Sequence, residues 1–547
     1  MRMFPTSLLF LVLLLRTSWA LACCADEVLI NGKIHTLDEK KPLTQAIAIS
    51  GNQIVAMGAD SQMKAWTGPK TRVIDLKGRT VIPGLVDSHM HAIRAALSFS
   101  TEVQWIGAQS LGEALERLKS AALKAQPGEW LIVAGGWTPE QFKEGVKPTQ
   151  AQIEEAAPQN PVYIQWMYDW ALLNHAAYEK LGIASEKDLP SGGHFEMSAG
   201  GPTGAVLGAI VPLFDRLPKP NFAQKVQGTK AFFAELNRLG VTGLMDPGGF
   251  NMSPSEYQAL FKVWRDGELS VRINFSYFAQ KKGQELVEFK ELTQLLPQGL
   301  GDDMLRFNGI GERVTFNMYN NDQPTQADKD AYFEVSLWAA QNGLSLTQHW
   351  QNGATVHQLL DVMERVNEIT PIAPLRWSIA HLNDAKLDTF VRMQKLGVGW
   401  TMQDAMYLDG DRLLAQKGKA ALQSMPLLVS AIQSGVHIGA GTDAHRVADY
   451  NPFIALSWML DGKSAAGVEL RSPIERPSRE QALRLYTQGS VWFTKDENKR
   501  GDLKVGKLAD LVVLSDDYFH MEASRIKNLH AMMTWVDGKI HYQDPNW

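Results

Sequence analysis

Cysteine is nearly absent: the 547-residue chain has two, Cys23 and Cys24, adjacent to each other near the N-terminus. The body of the protein therefore folds without disulfides and has neither a cysteine cluster for a metal nor a thiol nucleophile. A basic run is missing as well. The 54 Lys and Arg and 59 Asp and Glu give a net charge of -5 with both signs scattered, which argues against a nucleic-acid partner. There are no tandem repeats, sustained heptads or low-complexity tracts. The N-terminal apolar run, LLFLVLLL at Leu8 to Leu15, is too short to span a bilayer, so no membrane span is expected from it. With Arg2 before it and TSWALA after it, the run has a secretory signal layout over residues 1–22. The chain is therefore expected to be exported, to a periplasm or to the outside. Cleavage after Ala22 would leave Cys23 first, where a lipid anchor attaches, although Ala20 stands where a lipobox usually has Leu.

Two distant segments echo each other, LINGKIHTL at Leu29 to Leu37 and WVDGKIHYQ at Trp535 to Gln543. Asn31-Gly32 and Asp537-Gly538 supply left-handed turn residues, so each segment is expected to be a β-hairpin. Short alternating strands around glycine turns flank both. The expectation is a composite β-sandwich domain built from residues 26–82 and 501–547.

Between them, eight strand-like apolar runs alternate with amphipathic stretches such as QALFKVWRDG and KLDTFVRMQKLG. The runs are TVIPGLVDSH, GVTGLMD, VRINFSYF, LRFNGIGE, LSLTQHW, RWSIAHL, GVGWTMQ and VHIGAGTDAH. That alternation predicts an α/β fold, a (β/α)8 TIM barrel over residues 83–500. The gap from about 92 to 240 is too long for one crossover and predicts an elaboration near the barrel mouth.

In such barrels the active site lies at the C-terminal strand ends. His89 and His91 end the first run on one face of the strand, because successive side chains alternate. Glu312 ends the fourth run, His349 the fifth, His381 the sixth and Asp443 the eighth. Any one of these could be a satisfied core histidine or a surface ion-pair partner, Glu312 with Arg313 for example. Six at strand ends on one rim is much harder to arrange by chance.

These residues and their surroundings resemble the metal-dependent amidohydrolase superfamily, in the branch of N-substituted formamide deformylase-like hydrolases. The resemblance runs through VIPGLVDSHMH, GVTGLMD, TQHW, IAHLNDAKLDTFVRMQKLGVGWTMQ, GVHIGAGTDAH, REQALRLYTQGSVW and GDLKVGKLADLVVL. It implies that His89, His91 and Asp443 hold one divalent metal and that His349 and His381 hold a second. Zinc is the first candidate, and iron, manganese and cobalt suit the same ligands. A carboxylated lysine usually bridges the two ions. Here GIGERVTF has no lysine; some members place glutamate there instead, and the resemblance makes Glu312 a candidate bridge, with a structural ion pair to Arg313 or a neighbour the alternative.

The implied chemistry is attack of metal-activated hydroxide on an amide-type carbonyl of a small molecule, with Asp443 as general base and then acid. His381 or His445 could stabilise the oxyanion. Trp137 in GGWTPEQF is a candidate pocket wall or a core-packing aromatic, and Trp170, where relatives carry a histidine facing substrate, is a candidate substrate contact. Substrate choice is expected to be set by the elaboration and by loops such as NMYNNDQPT. Hydrolysis of an ester, lactone or phosphoester on the same metals is an open alternative, as is a non-catalytic metal-binding descendant or a two-lobed binding module.

Overall fold

The computed structural model describes residues 24–547. The signal segment 1–22 and Cys23 lie outside the described residues; Cys24 is exposed. The chain ends form two sheets. One orders Gln53–Gly58, Ala46–Ser50, Glu27–Ile30 and Arg72–Asp75. The other orders Lys539–Gln543, Ala531–Val536, Leu511–Leu514, Thr80–Pro83, Lys33–His35 and Leu43–Thr44, so it takes strands from both ends of the chain. Alternate residues of both sheets, among them Leu29, Ile47, Val81, Leu511 and Trp535, meet in one apolar cluster.

Only the C-terminal echo is a hairpin. Ala531–Val536 pairs antiparallel with Lys539–Gln543 around Asp537 (φ 54°) and Gly538 (φ 72°). The N-terminal expectation is corrected: Glu27–Ile30 and Lys33–His35 belong to different sheets. Asn31 is left-handed at φ 57°, but Gly32 is not, so the type I′ turn expected of Asn-Gly does not form. Gly32 serves close packing instead, since a Cβ there would lie 2.5 Å from Leu76 Cδ1.

The middle of the chain contributes eight parallel strands in two four-stranded sheets: β1 (Leu85–Asp87), β2 (Val241–Asp246), β3 (Arg272–Tyr277), β4 (Leu305–Ile310), β5 (Thr347–Trp350), β6 (Ser378–His381), β7 (Gly399–Gln403) and β8 (Ile438–Gly441). Each falls within one of the eight predicted runs. They are almost wholly buried, as parallel strands covered by helices on their connections must be. The two sheets also touch at both outer edges. The Ile310 N–H donates to the Ser345 carbonyl at 3.0 Å and that of His349 to the Glu312 carbonyl at 3.0 Å, joining the ends of β4 and β5. The Ser88 N–H donates to the Ala440 carbonyl at 3.0 Å and that of Asp443 to the His89 carbonyl at 2.8 Å, joining β8 to β1.

Between β1 and β2 lie helix α1 (Ala92–Ser98), a five-stranded sheet and helix α2 (Phe222–Arg238). The sheet orders His194–Ser198, Gly201–Leu207, Trp170–Leu173, Val162–Trp166 and Leu131–Val133 and buries its own apolar clusters. Among the described residues no helix is long and apolar enough to cross a membrane.

Candidate metal centre

His89 and His91 leave the end of β1 together. The Asp87 carboxylate accepts from the His89 N–H at 2.8 Å and, through its other oxygen, from the Thr442 N–H and hydroxyl at 3.0 and 2.9 Å, which clamps β1 to β8. Burial pushes the Asp87 carboxyl up to about 7. The His91 ring is fixed from behind: Nδ1–H donates to the Gly248 carbonyl at 2.5 Å, which turns Nε2 toward Asp443 and Glu312. Asp246, at the end of β2, orders that loop by accepting from the N–H groups of Gly248 and Ile93, each at 2.7 Å.

From the opposite side come Glu312, His349 and His381. Two residues of the cluster, His381 (φ 70°) and Asp443 (φ 60°), hold left-handed backbone. For such residues this costs roughly 1–3 kcal/mol each and persists only where the surroundings enforce it. Here Gln403 Oε1 accepts from the His381 N–H at 2.8 Å, and the Trp400 indole donates to the His381 carbonyl at 2.8 Å.

The six predicted side chains come together. His89 Nε2 lies 3.6 Å from Asp443 Oδ1 and 3.7 Å from Glu312 Oε1; His91 Nε2 lies 3.2 Å from Asp443 Oδ1 and 3.5 Å from Glu312 Oε2. Two ligand atoms each about 2.1 Å from a shared tetrahedral ion stand about 3.4 Å apart, so these four separations are those of a common cation. The other half is drawn in closer. His381 Nε2 is 2.9 Å from Glu312 Oε1 and 2.7 Å from His349 Nδ1, and His349 Nδ1 also contacts Glu312. Three ligand sets result, His89/His381/Asp443, His89/His91/Glu312 and Glu312/His349/His381, each with its atoms within 4.8 Å of one another.

The electrostatics fit the same occupant. Burial alone would raise the Glu312 carboxyl, but the charges and hydrogen bonds of His349, His381 and His89 hold it well below the carboxylate range. Burial pushes His89 down to about 3, so it is neutral, the form that ligates. Both ring nitrogens of His89 are buried without a hydrogen-bond partner. Such groups cost free energy when left unmet, and a cation between Nε2 and the two carboxylates would satisfy one of them. Arg313 does not pair with Glu312: its guanidinium donates to the Ala279 carbonyl at 2.7 and 2.9 Å and lies 3.7 Å from the Phe316 ring centroid.

The cluster opens into a cavity of about 640 Å³. Three sequence expectations are corrected by its walls. Trp137 and Trp170 are not among them; their rings pack 5.9 Å apart in the apolar cluster under the five-stranded sheet, Trp170 from a strand of that sheet and Trp137 from the loop that follows Leu131–Val133. His445 is not among them either. Its Nε2 lies 2.9 Å from Glu102, which also pairs with Arg446 at 3.1 Å, so it is tied into a buried ion cluster. The walls instead include Arg94, Tyr168, Tyr319 and Asn320, which sequence reasoning missed as individuals. Tyr319 stacks on His349 with centroids 4.4 Å apart, and the Asn320 amide contacts His349 Nε2 at 2.7 Å. Both belong to the NMYNNDQPT loop, the one signal that pointed to them.

The family model described as Amidohydrolase family matches residues 72–542. The chain belongs to the amidohydrolase family. As an amidohydrolase it is a metal-dependent enzyme that hydrolyses carbon–nitrogen bonds. It is 23% identical to an N-substituted formamide deformylase of Arthrobacter pascens over 95% of this chain and 98% of that one. It is 26% identical to protein LONG AFTER FAR-RED 3 of Arabidopsis thaliana over 95% of this chain and 92% of that one. Its fold is similar to the crystal structure of an uncharacterized metal-dependent hydrolase from Pyrococcus horikoshii, with a TM-score of 0.65 and 20% identity over 91% of this chain and 99% of that one.

Proposed function

We propose that this amidohydrolase cleaves a small-molecule amide-type bond other than a peptide bond, on one or two divalent ions held by His89, His91, Glu312, His349, His381 and Asp443, with zinc the first ion to test. The observation that carries the reading is the unpartnered, fully buried His89 imidazole facing two carboxylates. Similarity to a formamide deformylase supports the bond type. When bound, a divalent cation there supplies a Lewis acid and brings the pKa of water from 15.7 to about 7.

The protein's own groups do the rest. Asp443 faces the cavity and takes one proton from the attacking water as its oxygen adds to the carbonyl carbon. It then gives that proton to the nitrogen as the C–N bond breaks, leaving a carboxylic acid and an amine; the acid's remaining proton passes to the amine or to solvent. His381 lies beside Asp443, with Nδ1 3.8 Å from Asp443 Oδ2. Tyr319 covers the His349 ring and keeps bulk water from that side.

The architecture belongs to the same proposal. The two parallel sheets, bonded to each other at both edges, make a closed (β/α)8 barrel over residues 83–500, and the chain-end sheets make a sandwich from 26–82 and 501–547. Export through a signal peptide at 1–22 is included, and N-terminal sequencing of the mature protein tests it. For the chemistry, purified protein is loaded with zinc, iron, manganese or cobalt and offered N-acyl amides, lactones and phosphoesters. Amide turnover that a chelator abolishes and metal restores supports the reading. Turnover confined to lactones or phosphoesters, or indifferent to chelation, contradicts it.

A further inference from the structure

Arg94 is a cation without a counter-ion. It lies on the first turn of α1, which His91 precedes as the N-cap residue. Its guanidinium lines the cavity of the metal cluster and also an adjoining chamber of about 230 Å³; Tyr168, Val211 and Phe250 are common to both. Every other Lys or Arg among the described residues lining these two spaces has a carboxylate. Arg412 pairs with Asp169 and Asp409, Lys417 with Asp384, Lys219 with Asp215, Lys225 with Glu256 and Arg446 with Glu102. Arg94 has a single hydrogen bond to a side chain, Nη2–H to the Tyr168 hydroxyl at 3.2 Å. The two carboxylates that share its cavity beside the cluster, Glu312 and Asp443, are engaged by the four histidines.

A guanidinium stays charged and presents a planar fork of donors matched to a carboxylate. Half-buried in a concave wall with its fork unfilled, it is arranged for an anion that the protein does not supply. The stem runs over Gly249, where an added Cβ would lie in van der Waals contact at 3.5 Å from Arg94 Cδ. One unpaired cation matches one negative charge, which favours a carboxylate over a dianionic phosphate. The chamber beyond is walled by Leu97, Phe214, Pro218 and Phe250, and takes an apolar body.

We propose that Arg94 is a specificity residue that binds a carboxylate on the substrate, so that the amide cleaved is a monoanion with an apolar body seated in the side chamber. This rests on the hydrolase reading above for its chemistry, but not for its binding. The test therefore uses binding to chelated, metal-free protein by calorimetry, with 4-phenylbutanoate, its neutral amide 4-phenylbutanamide, and 3-phenylpropylphosphonate as probes. Wild type is expected to bind the carboxylate about tenfold or more tighter than the amide, and tighter than the phosphonate, as one charge-assisted bidentate contact implies.

Arg94→Met keeps the stem over Gly249 and should bring carboxylate and amide within about twofold, while Arg94→Lys, with charge but no fork, should fall between. Circular dichroism establishes that each variant is folded. Equal binding of carboxylate and amide by wild type, no binding of either, a preference for phosphonate, or a preference that survives Arg94→Met overturns the proposal. A separate assay with added metal and a neutral amide reports on hydrolysis alone. Failure there with intact, Arg94-dependent carboxylate binding removes the hydrolase reading and leaves the role of Arg94 standing.

Discussion

Asp443 combines three properties at one atom group: a carboxylate facing the cavity, a left-handed backbone that aims it, and three histidines within 4 Å of its oxygens. Asp443→Asn keeps the shape and removes the proton acceptor. Turnover of an amide substrate is expected to fall by about 10²–10⁴-fold or more, with an unchanged circular dichroism spectrum. A variant within tenfold of wild type would show that the base lies elsewhere. At this scale the six cluster residues were legible because each one closes an apolar run, and a polar group ending a buried strand has few reasons to be there. Trp137 and Trp170 were misplaced because an aromatic reads the same in sequence whether it faces a cavity or a core. Arg94 and Tyr168 left no trace as a pair: one is on α1 and the other in the elaboration, and only the folding back of that elaboration brings them within 3.2 Å.

The strands set the tolerance of the site. Gly441, the last residue of β8, faces the end of β1 so closely that a Cβ there would lie 2.6 Å from Asp87 Oδ1 and 2.6 Å from the His89 backbone nitrogen. Gly441→Ala must push β1 and β8 apart where they carry His89, His91 and Asp443. The expected result is a loss of about 10–100-fold in divalent metal affinity by competition with a chelator, the scale of outer-shell disruption, with roughly 1–3 kcal/mol of stability lost. Unchanged affinity would mean the clamp between the two strands does not position the ligands. The eight strands were legible because buried parallel strands are short apolar runs bounded by breakers. The N-terminal hairpin was not: Asn-Gly between two apolar segments is a strong local turn signal, and only the pairing of Lys33–His35 with Thr80–Pro83, far along the chain, overrides it.

Across the whole molecule, buried acids away from the cluster make stability depend on pH. Asp449 is buried, and burial first, then Glu235, pushes its carboxyl up to about 7. With an unfolded value near 3.8, the folded state holds a proton that the unfolded chain has lost between those two values. Its contribution therefore weakens as pH rises from about 4 to about 7 and is constant above that. In Asp449→Asn the amide cannot ionise, and its oxygen can still accept from the Asn451 N–H. Followed by thermal or denaturant unfolding, the variant should gain stability relative to wild type as pH climbs through this window, by at most about 4 kcal/mol. A difference that is flat with pH would show that Asp449 ionises normally. The assembly of the chain ends into shared sheets was legible from the paired GKIH motifs. The ion pairs that lock them to the central strands were not, because Arg272 meets Asp510 at 2.7 Å and Asp537 at 2.9 Å across a sequence separation no local pattern reports.

The central claim is that six buried side chains from five strand ends form one divalent metal centre. Elemental analysis after equilibrium dialysis against zinc, iron, manganese and cobalt, on wild type and on a Glu312→Ala/His89→Ala double variant, tests it most directly. Wild type is expected to retain one or two ions per chain, and the double variant, still folded by circular dichroism, is expected to retain none. Wild type that retains no ion, or a double variant that retains as many as wild type, would contradict it.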